Sequence, residues 1–159
     1  MASTSFELAR VAAMAADEKK ARDLLLIDLT DVSDICDYFL IMTANNARQA
    51  DTLVDDIKLK VSENCDEKPL SIEGRAGGNW VLADYGALVV HIFQQETREY
   101  YRLERLWGDA PRVSLGLESE MADVQAWADG ASDEQLADPD DVRAALVTDI
   151  DAEDDLDFA

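Results

Sequence analysis

NWVLADYGALVVHIF, residues 79–93, decides how this chain folds. Its first half alternates. Trp80, Leu82 and Asp84 fall on one side and Val81, Ala83 and Tyr85 on the other, the period-two pattern of a strand. Gly86 permits a tight turn, and a second apolar run, ALVVHIF, follows at 87–93. Two such runs around one glycine turn predict an antiparallel hairpin. A lone hairpin is barely stable in water, so the rest of the chain must supply neighbours and cover.

Working outward, QETREYYRLERLW at 95–107 reads as a helix, with Tyr100, Leu103, Leu106 and Trp107 on one stripe. Upstream, KPLSIEG at 68–74 predicts a short strand, and GRAGG at 74–78 a mobile connector. In ANNARQADTLVDDIKLKVSEN, Ala50, Leu53, Val54, Ile57 and Val61 recur at helical spacing. Asn45 or Asn46 stands ready as N-cap, which predicts a helix from about 46 to 63. DLLLIDL at 23–29 and DYFLIMT at 37–43 are short apolar runs suited to buried strands. Residues 5–20 form a helix with Leu8, Val11, Ala12 and Ala15 on one face and Ser5 as cap. The order α-β-β-α-β-β-β-α predicts an α/β domain, a mixed five-stranded sheet with helices packed on it, over residues 1–112. Residues 113–159 read as an acidic, partly helical or disordered tail. In it, Asp138 could cap a short helix bearing Val142, Ala145, Leu146 and Ile150, and Met121, Val124 and Trp127 a second one.

The charge is unevenly spread. Residues 1–117 hold 20 acids and 13 Lys/Arg, a net of −7, while 118–159 hold 15 acids and Arg143 alone, a net of −14. A chain at −21 overall is not built to recognise a nucleic-acid backbone directly. No apolar run approaches the roughly 18 residues a membrane span needs. The first twenty residues carry acid from Glu7 onward and read as a retained helix, not a signal peptide. Two distant cysteines, Cys36 and Cys65, and one histidine make a disulfide scaffold or structural zinc improbable on composition. A cytoplasmic setting is the default, with no metal and no cofactor expected.

Candidate chemistry is sparse. His91 has no serine–acid constellation or nucleophile elbow around it, so a buried structural histidine is the expected reading. Asp28, Asp31, Asp34 and Asp37 recur every third position, but across a loop, where turn caps and solvated acids are expected rather than a metal set. GRAGG enters a strand, not a helix N-terminus, and lacks the parts of a phosphate cradle. Trp80 and Tyr85 flank the hairpin with Glu73 and Asp84 nearby. Rigid aromatics beside acids suit docking to a basic protein, although Trp80 fits a core position equally well.

The succession CDYFLI, TANNARQ, IEG, NWVLADYGALVVHIF and REYYRLERLW resembles the ribosomal silencing factor (Iojap) family, over about 105 residues up to Trp107. The resemblance implies a fold related to nucleotidyltransferases without their catalytic motif, and no enzyme activity. It implies binding to the large ribosomal subunit through a ribosomal protein, the universal large-subunit protein fourteen, at the joining face. Docking there would block the small subunit and repress translation under nutrient limitation, and some members form homodimers. The residues expected to bind the partner are Glu73, Trp80, Leu82, Asp84 and Tyr85. Two departures stand out. The family's Gly-Asp after the aromatic strand is Gly86-Ala87 here, and its T-G-x-S-x-R is Thr43-Ala44-Asn45-Asn46-Ala47-Arg48. Rival readings are a nucleotidyltransferase-like enzyme using the loop acids and His91, and a large-subunit assembly factor. The tail is expected to add repulsion toward rRNA or to touch another basic surface.

Overall fold

Helix α1 (Ser5–Glu18) begins after Thr4, whose hydroxyl, rather than that of Ser5, accepts the Glu7 N–H at 3.1 Å. The computed structural model in which it is seen describes residues 4–107 and 110–121. The buried face of α1 is Leu8 and five alanines, Ala9, Ala12, Ala13, Ala15 and Ala16, and small side chains let a helix axis approach its neighbour closely. That neighbour is α2 (Ala47–Cys65), which buries Ala50, Leu53, Val54, Ile57 and Val61 as their spacing predicts. Asn46 caps it, its Oδ1 accepting the Gln49 N–H at 2.8 Å. The Gln49 amide in turn donates to the Lys19 and Lys20 carbonyls, tying the start of α2 to the end of α1.

The strands are β1 (Arg22–Asp28), β2 (Tyr38–Ala44), β3 (Ser71–Glu73), β4 (Trp80–Asp84), β5 (Leu88–Gln94) and β6 (Arg112–Val113). They form one mixed sheet in the order β3-β4-β5-β2-β1-β6. The expected hairpin is β4–β5, closed by Gly86 at φ +86°. Among the described strands, only β2 and β5 pair in parallel. A parallel pair needs a long crossover, and here α2, β3 and β4 provide it. Among the described residues the sheet has six strands rather than the expected five. The added β6 pairs only two residues with Leu26 and Ile27 of β1, too few to show a sequence period.

Helices α1 and α2 cover one face, packing on Leu24, Leu26, Leu40, Met42, Val81, Ala83, Val90 and Ile92. On the other face Leu25, Ile27, Ile41, Trp80 and Phe93 meet a smaller cover. That cover is α3 (Gln95–Tyr101) and α4 (Leu103–Leu106), where a single helix was expected. Arg102, at φ +48°, breaks the run while its N–H still bonds the Arg98 carbonyl. No glycine or proline marks the break. Arg98 is buried and donates to the Asp23 carbonyl and the Thr43 hydroxyl, both at 2.8 Å, pinning α3 to β1 and β2. Leu103 is pulled separately into the core.

The packed body does not stop at 112. Leu115 and Leu117 pack against the α1–α2 side of the core. The Glu120 carboxylate accepts the N–H groups of both, at 2.6 and 2.9 Å. Leu24 of β1 donates to Ser119 and accepts from Met121, each at 2.9 Å. Residues 118–121, expected to open a short helix, form a turn and a parallel bridge to Leu24 instead. The remaining tail expectations, including the helix after Asp138, lie outside the described residues.

Candidate functional site

The register of the sheet sorts the expected contact residues into rows. Glu73, Leu82, His91, Ile41 and Leu25 are paired neighbours across five strands. The next row runs Ser71, Asp84, Val89, Phe39, Ile27 and Arg112. Paired residues share a face, and positions two apart along a strand return to it. Glu73, Leu82 and Asp84 therefore lie together on the face opposite α1 and α2, beside half-buried Val89 and Phe39. The result is a partly covered apolar row, with Leu82 buried at 8% exposure, Val89 and Phe39 half-buried, and two half-buried carboxylates at its β3–β4 margin. Val89 and Phe39 were not singled out from the sequence, because only the pairing of β2 with β5 brings them beside Asp84.

Tyr85 is on the opposite face. Its ring is buried in the core beneath α2, and burial pushes its phenol pKa up to about 12. The hairpin alternation that puts Asp84 outward turns Tyr85 inward, so the two cannot share one contact surface. Trp80 keeps the expected face but not the expected exposure, with 3% of its surface accessible. It lies among Phe93, His91 and Tyr101, with ring centroids 4.6, 5.9 and 4.9 Å away. Both aromatics support the hairpin from within, and Leu82, on the same strand, is buried as well, at 8% exposure.

His91 is likewise interior, at 2% exposure. Its Nδ1 accepts the Trp80 indole N–H at 3.1 Å, so the neutral ring carries its proton on Nε2. Burial depresses its pKa from an ordinary 6.5 to about 3. A histidine that stays neutral, with its basic nitrogen committed to an indole and no carboxylate orienting it, has the structural role its sequence context predicts.

The other motifs also resolve into architecture. Asp28 Oδ1 accepts from both the N–H and hydroxyl of Thr30, which hold its pKa below the ordinary carboxylate value. Among the described residues no three His, Cys, Asp or Glu side chains converge to hold a metal. GRAGG, expected to be mobile, is clipped down. The Arg75 guanidinium bonds Asp51 and Asp55 of α2, and Gly78 at φ +70° sits so close to Ala47 that an added Cβ would stand 2.5 Å from it. Asp84 Oδ1 accepts the Gly86 N–H at 2.8 Å, so this acid also holds the hairpin turn. Cys36 and Cys65 are buried free thiols, and burial together with Asp37 and Asp84 pushes the Cys36 pKa up to about 11. A thiol so raised is a poor nucleophile at neutral pH.

A family model described as "Ribosomal silencing factor during starvation" matches residues 2–142. The chain is 42% identical over 106 residues to the ribosomal silencing factor of Bacillus subtilis, covering 67% of this chain and 89% of that one. It is 33% identical over 92 residues to the mouse protein named for mitochondrial assembly of the ribosomal large subunit, covering 57% of this chain and 40% of that one. A crystal structure from Bacillus halodurans superposes with a TM-score of 0.61 at 34% identity, covering 69% of this chain and 99% of that one.

Proposed function

Because this chain belongs to the ribosomal silencing factor family, we propose that it binds the large ribosomal subunit and there prevents the small subunit from joining, lowering translation when nutrients are scarce. The docking surface in this reading is the sheet face opposite α1 and α2. Half-buried Val89 and Phe39 supply its apolar centre, with Leu82 packed beneath them, and Glu73 and Asp84 its acidic margin. The observation that carries the assignment is this two-row strip, apolar at its centre and acid at one edge. It suits a flat, basic protein surface, since complementary charge speeds encounter and fixes orientation while the apolar centre supplies affinity. The partner within the subunit is taken to be the universal large-subunit protein fourteen. Trp80 acts from beneath as a rigid floor, and Tyr85 has no part in contact. Ala87, where the family carries an acid, leaves Asp84 as the main charge at the hairpin tip.

The test is co-sedimentation with isolated large subunits, with and without competing small subunits. Asp84→Asn keeps an acceptor for the Gly86 N–H and so keeps the turn, but removes the charge. It is expected to fold normally and to bind more weakly at low salt. Val89→Asp, at a half-buried position of the strip, should abolish binding while circular dichroism shows the fold intact. Full binding by the Val89→Asp, Asp84→Asn double variant would refute the docking face. Light scattering of the free protein at several concentrations tests the homodimer form of this proposal.

A second reading, an assembly factor for the large subunit, is favoured by the name of the mouse relative. It shares the docking partner. It is separated by the particles recovered with the protein: immature large subunits for assembly, mature ones for silencing.

A further inference from the structure

On the helical side of the molecule, α1 and α2 leave an open groove of about 250 Å³ between them. Arg10, Val11, Met14 and Ala15 line it from α1, and Lys60 and Asn64 from α2. Met14 is 44% exposed there, a large apolar side chain left to solvent beside half-buried Val11. The rim carries two cations. Arg10 pairs with Glu7 at 3.2 Å. Half-buried Lys60 forms no ion pair with any described residue, in a chain of 35 acids. The acidic part of the chain sets out from the same place. Glu18 lines the groove and also a second hollow that it shares with Glu118, Ser119 and Glu120. Asp17 Oδ1 accepts the Ser119 N–H at 3.0 Å, and the Met121 N–H bonds the Leu24 carbonyl. The chain beyond Met121 therefore starts near the Glu18 end of the groove.

That chain contains an occupant of matching chemistry. In residues 138–150 the sequence predicts a helix, with Asp138 as N-cap, Pro139 at N1 and Val142, Ala145, Leu146 and Ile150 on one stripe. Asp138, Asp140, Asp141 and Asp149 stand against Arg143 alone, a net of −3. An amphipathic helix binds by laying its apolar stripe into a groove, with its charges placed by those on the rim. We propose that residues 138–150 of this chain dock into its own α1–α2 groove, the stripe against Val11 and Met14 and the aspartates toward Lys60. Length permits it. The 16 residues from 122 to 137 reach up to about 53 Å when extended, against about 21 Å for the whole of α1. A tether of this length holds the segment at an effective concentration of about a millimolar, so one that binds only at about a millimolar when free is docked about half the time. A helix of another protein has no such advantage, and this favours the chain's own segment. Docked there, the segment draws the tail's charge behind the helices, opposite the sheet face. The contact does not depend on the ribosomal reading.

The test is amide-resolved NMR of the full chain carrying a nitroxide at Ala144→Cys, a position on the side of the expected helix opposite the stripe. Cys36 and Cys65 are buried, so the label goes to the introduced thiol. Paramagnetic broadening is expected at the amides of Val11, Met14, Ala15, Lys60 and Asn64, and not at Glu73 or Val89 on the other face of the sheet. Leu146→Asp should abolish that broadening, and it touches no described contact, so the packed body is unchanged. Lys60→Glu places an acid where the aspartates arrive and should lower the docked fraction about twofold or more. Broadening that is absent, spread evenly over both faces, or undiminished by Leu146→Asp overturns the proposal. So does broadening between molecules, in a mixture of isotope-labelled chains and spin-labelled chains, which would give the groove to a second copy.

Discussion

At the scale of single residues, His91 and Trp80 act as one unit. The neutral imidazole accepts the indole N–H, and burial holds the His91 pKa near 3 against an ordinary 6.5. Below pH 6.5 the unfolded chain binds a proton at this site that the folded chain refuses. Stability therefore falls as pH drops from about 6.5 toward 3, at up to roughly 1.4 kcal/mol per pH unit. Between pH 7 and 5 this one group should cost the wild type about 2 kcal/mol. Denaturant titrations of the wild type and of His91→Phe at both pH values check this. The variant starts less stable, having orphaned the Trp80 N–H, but should lose less on acidification. Equal losses would place the acid sensitivity on the carboxylates alone. The identity of His91 as a structural residue is legible from its apolar strand context. Its partner is not, because Trp80 and His91 are 11 positions apart and meet only through the strand register.

At the scale of elements, local sequence and observed structure agree where a helix or strand carries its own signals. The α2 helix has an apolar stripe, an N-cap at Asn46 and no internal breaker. Replacing Asn46 by alanine removes the acceptor for the Gln49 N–H and should cost about 1 kcal/mol, seen as a fall of a few degrees in melting temperature. Disagreement arises where packing overrides local preference. The split between α3 and α4 at Arg102 runs against a helical composition. It follows from the Arg98 anchor on one side and the Leu103 anchor on the other. The glycine loop looks free by composition, yet Arg75 finds Asp51 and Asp55, residues 24 and 20 positions earlier, on α2.

At the scale of the whole molecule, the boundary between body and tail matters. Leu115, Leu117 and Glu120 close the α1 end of the sheet, although they fall in the stretch whose composition reads as tail. A chain ending after Met121 removes 13 acids and Arg143, yet keeps every described contact. Its melting temperature should match that of the full chain within a degree or two. A chain ending after Val113 exposes apolar surface against α1 and β1 and should melt several degrees lower. Equal melting of the two truncations would show that the clasp adds nothing. Comparing the Met121 truncation with the full chain in subunit-joining assays then isolates the contribution of the acidic tail.

The sequence by itself determined the α/β class, the order of the main helices and strands, the hairpin and the helix cap at Asn46. These depend on periodicity and turn chemistry within a dozen residues. It also placed Trp80, Leu82 and Asp84 on one side of a strand and Tyr85 on the other. Only the tertiary structure decided which of those sides α1 and α2 cover, because burial depends on how distant elements pack. That choice sent Tyr85 into the core, buried Trp80 under α3, and aligned Val89 and Phe39 with Asp84 through pairings between strands distant in sequence.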